Sequence, residues 1–252
     1  MNHRTVPIIL FGLLIASCNQ NENIAFNVEN LTENDLEICA DIQCPEITIN
    51  YVKVRGNDGI AKKINEKIDY FIISSIEFGE DAQIIAKTIT EAATDFAKSY
   101  HTDKNEFPDM VAPYVAEVSV KELYRSDDHI SLELSQYLFT GGAHGYGSTS
   151  FLNVDPETGE ELGFNELFID HKAFLAFAEG KFREQQKISP QQSINDHGFW
   201  FENDIFYLPN SFGFTADSII FIYNQYDIAS YADGPIELKI SRKEAAPYLI
   251  QN

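Results

Sequence analysis

Long blocks of this chain hold one apolar spacing at a time, and the order of those blocks restricts the fold more than any other feature. Ile47, Ile49 and Tyr51 alternate with polar neighbours inside Cys44 to Val54, the pattern of a strand. Asn57-Asp58-Gly59 then offers a cap before Ile60, Ala61, Ile64, Ile68, Phe71, Ile72 and Ile76, which recur at helical intervals. After a break at Gly79-Glu80-Asp81, a second helical stripe runs through Ile85, Ala86, Ile89, Ala93, Phe96 and Ala97. From Tyr114 the period returns to two: Ala116, Val118 and Val120, then Ile130, Leu132, Leu134 and Leu138, with Ser126-Asp127-Asp128 turning the chain between them. Another strand is expected from Ser148 to Val154, a helix from Lys172 to Gln186 ended by Pro190, and aromatic-rich strands beyond Gly198. Ile219 to Tyr223 is apolar on both faces, as a central strand would be. Ser241 with Glu244 fits a capping box opening a last short helix. Strands and helices come in groups and do not alternate one by one. The class is therefore α+β: a mostly antiparallel sheet packed with helices, in two closely associated subdomains over 37–125 and 126–252.

The first residues describe an export signal. Met-Asn-His-Arg is a short basic start, and Val6 to Ile15 is an apolar run too short to cross a bilayer as a helix. Ile15-Ala16-Ser17 directly before Cys18 has the form of a lipobox, so 1–17 is read as a lipoprotein signal peptide and Cys18 as the acylated residue. The chain is then exported and held on a membrane by its lipid, facing the periplasm or the cell exterior. Residues 19–36 are rich in Asn and Glu and are read, with Cys18, as a flexible tether. Cys39 and Cys44 remain as an even pair in an oxidising compartment; a disulfide is expected, since half of a zinc site would need a second Cys or His pair nearby. The formal net charge of −21 repels nucleic acid and anionic lipid, and it attracts cationic proteins or serves solubility alone.

Chemistry is sparse. The glycines at 141, 142, 145 and 147 lack a dinucleotide fingerprint, no Gly-Lys-Ser/Thr follows, and no nucleophile elbow surrounds Ser148 or Ser150. The histidines at 101, 129, 144, 171 and 197 show no pair at metal-ligand spacing, so neither a metal nor a cofactor is expected. The concentrated signal is QYLFTGGAHGYGS, Gln136 to Ser148. Gly141, Gly142 and Gly145 with His144 either form a nest of backbone N–H groups beside a general acid or base, or make a tight bend that the imidazole braces. Asn224 to Gly234 is a second polar-aromatic loop, where Tyr226, Asp227 and Tyr231 either line a binding surface or anchor the loop.

Those two loops carry a resemblance. YLFTGGAHGYGSTSFLNVDPETGEEL and FGFTADSIIFIYNQYDIASYADGPIELKI resemble the extracytoplasmic domain of RsiV-type anti-sigma factors, which is similar in turn to the N-terminal region of PdaC-type peptidoglycan deacetylases. The similarity runs from about Cys44 to Leu249, with Ser230 standing where the family often has proline. It implies an α+β domain and, from the RsiV-type members, lysozyme binding. The sigma-factor role needs a cytoplasmic segment where only four residues precede the apolar run, and the deacetylase role needs a catalytic domain where this chain ends at Asn252. The expectation is a lipid-anchored envelope binding module for lysozyme-like cationic proteins or peptidoglycan, with no nucleic-acid partner. Its candidate face comprises Gly141, Gly142, His144, Gly145, Tyr226, Asp227 and Tyr231. The alternative is an envelope glycan-active enzyme using His144 as general acid/base.

Overall fold

The computed structural model of the protein describes residues 24–56, 58–77 and 86–250. Cys18, the signal segment, Asn57 and the Gly79-Glu80-Asp81 break with Ile85 lie outside them. Five strands form the first sheet in chain order: β1 (Ala25–Thr32), β2 (Glu46–Arg55), β3 (Val115–Arg125), β4 (Ile130–Phe139) and β5 (Tyr146–Val154). All neighbours are antiparallel except β2 and β3. A parallel pair needs a long crossover, which α1 (Asp58–Ile76) and α2 (Ile89–Glu106) supply. The helical stripes drive their packing. Ile64, Ile68, Ile72, Ala93, Phe96 and Ala97 are buried in one core with Ile47, Ile49, Ala116, Val118, Leu132 and Leu134 of the sheet. Each large side chain so buried contributes about 1.5–3 kcal/mol. The second helix begins later than its apolar stripe, because the Thr88 hydroxyl accepts the Glu91 N–H (3.1 Å) and caps it there; Ala86 precedes the helix. Among the described residues no helix is long and apolar enough to cross a membrane.

The second sheet holds β6 (Gly213–Phe214), β7 (Ser218–Tyr223) and β8 (Ile236–Ser241), with β7 central as its apolar run predicts. Around it lie α3 (Phe164–Leu167), α4 (His171–Gln186) and α5 (Arg242–Ala245). Their core is dominated by aromatic rings, among them Phe168, Phe174, Phe182, Phe212, Phe221 and Tyr223.

Four expectations are corrected. The tether cannot extend to residue 36, since β1 pairs with β2 from Ala25↔Arg55 to Thr32↔Thr48 and Leu36 is buried in the first core. An edge strand is secured by backbone hydrogen bonds, which a polar composition does not prevent. The boundary at 125/126 cuts between β3 and β4, which pair along their length; the division between the two cores falls after Val154. Residues 199–212 are not strands. Asn203 and Asp204 take left-handed φ values of 54° and 61°. The Asn195 amide bonds both the N–H and the C=O of Phe201 (2.7 and 3.0 Å), standing in for a neighbouring strand. Ser241 makes no side-chain cap; Glu244 pairs with Lys181 of α4 instead.

The two units meet on the outer face of the first sheet, opposite α1 and α2. Phe214 N–H donates to Ser131 Oγ (2.9 Å), and the Asn153 amide donates to Phe212 O (2.8 Å). Ser131 and Asn153 face each other across β4 and β5. The second unit thus covers one end of this face and leaves open the end carrying Ser135, Tyr137, Gly147 and Thr149.

Candidate functional site

The glycine loop closes the open end of β4 and β5. Gly141 and Gly142 have φ of 94° and 90°, a conformation L side chains rarely adopt, so two glycines let the chain reverse there. At Gly145 the requirement is space: a Cβ would stand 2.4 Å from the Tyr137 hydroxyl. The backbone therefore rests on the Tyr137 ring. His144 Nδ1–H donates to Gly145 O (3.0 Å), and its ring stacks on Tyr231 with centroids 3.9 Å apart and planes at 24°. Tyr231 Oη donates to the same carbonyl (3.1 Å). A strand-end loop and a loop 86 positions away are locked through one oxygen.

The second loop brings more rings. Tyr226 is 51% exposed, has a φ of 72° that is uncommon for a non-glycine residue, and lies 5.7 Å from Tyr231. Asp227 Oδ2 accepts the Asn224 N–H (2.7 Å), while its backbone oxygen accepts from Tyr207 Oη (3.2 Å). Burial, and then the Asp227 carboxylate, push the phenols of Tyr146 and Tyr207 above the usual tyrosine range. Both rings thus lie near Asp227. Each is partly exposed, at 40%. The result is an exposed aromatic face of His144, Tyr231 and Tyr226 where the two loops meet, with Tyr207 bonded to the backbone of Asp227 and Tyr146 at the start of β5. Tyr146 and Tyr207 were not among the residues singled out from sequence; Tyr146 is two positions from His144, and only the fold brings Tyr207 near.

Beside this face the open end of the first sheet forms a cleft of about 490 Å³. Thr48 and Asn50 of β2, Glu117 and Ser119 of β3, Ser135 and Tyr137 of β4 and Thr149 of β5 floor it. Asn224, Gln225, Tyr231 and Pro235 form its wall. The wall is fixed by the Asn224 amide, which accepts Thr149 N–H (2.7 Å) and donates to Thr149 O (3.1 Å).

All of the candidate residues in the two loops therefore belong to one neighbourhood. His144 engages a carbonyl and a ring, an arrangement that braces the bend. Cys39 and Cys44 form the expected disulfide, with Cα atoms 5.6 Å apart. Among the described residues no group of three or more His, Cys, Asp or Glu side chains is placed to hold a metal.

Residues 38–146 match the family model described as "Deacetylase PdaC", and residues 165–243 match "Protein of unknown function (DUF3298)". The fold is similar to the crystal structure of a DUF3298 member from Bacteroides fragilis NCTC 9343, with 21% identity and a TM-score of 0.67, covering 92% of this chain and 96% of that one. It is also similar to a DUF3298 protein from Pseudomonas aeruginosa PAO1, with 17% identity and a TM-score of 0.57, covering 91% and 94%. No curated protein matches the chain.

Proposed function

From a chain that carries a PdaC-type segment followed by a DUF3298 segment in one α+β fold, we propose a binding module of the cell envelope, held on the membrane by acylated Cys18, that captures a cationic protein of the lysozyme kind. The observation carrying this reading is the joining of the two loops into one exposed aromatic face, with His144 stacked on Tyr231, Tyr226 beside it and Asp227 next in the chain. Exposed tyrosines on a braced backbone are the residue type that dominates binding energy at protein interfaces. Lysine or arginine side chains stack over such rings and pair with a carboxylate beside them. The net charge of −21 raises the encounter rate with a cationic partner. Capture needs no reacting group, and His144 is engaged in bracing, which supports binding over glycan chemistry.

The test is calorimetric titration of the full chain with lysozyme over a series of salt concentrations. Contact at the face predicts saturable binding that persists as salt rises, because a desolvated aromatic contact is screened far less than distant charges. Tyr226→Ala is expected to weaken it by roughly 30-fold, the effect of a hot spot worth about 2 kcal/mol. Absent heat, or heat that vanishes with salt, would remove this partner.

A further inference from the structure

The cleft floor takes no part in the capture of a protein at the aromatic face, and its composition is specific. Register places Thr48 beside Glu117, Ser119 beside Ser135, and Ser135 beside Thr149, so these side chains share one face of the sheet. Further along the same face, Lys121 and Glu133 make an ordinary ion pair at 2.7 Å. In the cleft Glu117 is the one charged side chain among short hydroxyl and amide groups. Among the described residues, the hydroxyls of Thr48, Ser119, Ser135 and Thr149 make no hydrogen bond to protein, and neither does the Gln225 amide. Each hydroxyl is both donor and acceptor, and each is held on a rigid strand.

Two rings close one end, and both are preset. Tyr137 is seated under Gly145, where no Cβ would fit, and Tyr231 is fixed by its bond to Gly145 O and by the His144 ring. The volume of about 490 Å³ lies within the range of roughly 300–1,000 Å³ usual for small-ligand sites.

We infer that this cleft binds an uncharged saccharide, with its hydroxyls on the serine and threonine side chains and its apolar ring face against Tyr137 and Tyr231. A saccharide is the ligand that needs many convergent groups able both to donate and to accept, together with an aromatic surface for its C–H bonds. The lining contains no Lys, Arg or His and one carboxylate, Glu117, so it disfavours phosphorylated or carboxylated ligands. An extended peptide is disfavoured as well. It would be held by free main-chain groups at a sheet edge, and at Thr149 of the edge strand β5 both groups are taken by Asn224. Preset rings and strand-borne hydroxyls lose little freedom on binding, which favours a small ligand.

The inference does not rest on the lysozyme reading, and its test uses positions on the sheet, away from Tyr226 and Asp227. The full chain is titrated with the β-1,4 tetramer of N-acetylglucosamine and, separately, with that of glucose, following backbone amide NMR shifts. Saturable shifts at Ser119, Ser135 and Thr149 are expected with at least one oligomer, and the pair distinguishes an acetamido sugar from a plain hexose. Ser135→Leu, which fills the floor, is expected to lower affinity at least about tenfold with an unchanged melting temperature and intact lysozyme titration. Thr149→Val, which keeps shape and removes a hydroxyl, should weaken binding without affecting folding. Silence with both oligomers would overturn the inference, as would binding undiminished in both variants.

Discussion

His129 is 6% exposed, with its ring 5.1 Å from Tyr124 and edge-on to Phe214 at 4.6 Å. Burial, and then the Arg242 guanidinium, push its pKa down to about 4, against a smaller upward pull from Asp128. The folded protein thus resists a proton that the unfolded chain accepts near pH 6.5. Stability from this residue is complete above pH 6.5 and is lost as pH falls towards 4, by on the order of 3 kcal/mol. His129→Phe removes the titration and suits an aromatic setting. Urea unfolding at pH 7 and pH 4.5 should show the variant losing less stability than the parent across that interval; equal losses would refute the account. In the sequence His129 follows Asp127-Asp128, a turn signal that reads as surface, and only the fold shows Phe214 closing over it. For His144 the sequence left a reacting group and a braced bend both open; in the fold its ring bonds Gly145 O and stacks on Tyr231.

Element by element, periodicity recovered whatever the hydrophobic effect alone decides. α1, α2 and α4 and strands β2 to β4 follow their apolar stripes, because each packs an apolar face on a core. Where other forces decide, the pattern is silent. β1 is held by backbone pairing and carries Val28 79% exposed, so it has no stripe to read. The end of α4 falls where the sequence places it, at Gln186 ahead of Pro190, but the device that ends it was not legible: Lys187, the residue after the helix, adopts a left-handed φ of 59° and ψ of 36° while its N–H bonds Glu184 O. That conformation is costly for a side chain and natural to glycine. Lys187 is exposed, so little packing is lost on replacing it. Lys187→Gly is expected to stabilise the protein by about 1 kcal/mol, seen as a higher melting temperature. An unchanged or lower value would mean that the lysine side chain stabilises this turn in some further way.

At the scale of the whole molecule, pairing was the part hidden from the sequence. Alternating residues identify β3 and β4 as strands without saying that they are neighbours, so a turn at Ser126-Asp127-Asp128 passed for a boundary. Ser131 and Asn153 likewise read as outward polar positions, although both are buried where the second unit sits on the first sheet. This junction has a sharp steric limit at Gly213, where a Cβ would stand 2.4 Å from Phe151 Cδ1 and 3.0 Å from Leu123 Cδ2. Phe151 is 7% exposed and cannot swing into solvent. Gly213→Ala therefore forces the second unit away from the sheet, at the 1–3 kcal/mol typical of overpacking, about that range at least. Gly180→Ala is its control. It lies inside α4 with nothing within 4 Å of an added Cβ, and there alanine should stabilise by about 0.5–1 kcal/mol through helix propensity. Melting temperatures shifting in opposite directions would establish that the two units are fitted face to face. A tolerated Gly213→Ala would mean that they ride loosely on each other, and the wall that Asn224 and Tyr231 give the cleft would then owe its position to the Thr149 and Gly145 bonds alone.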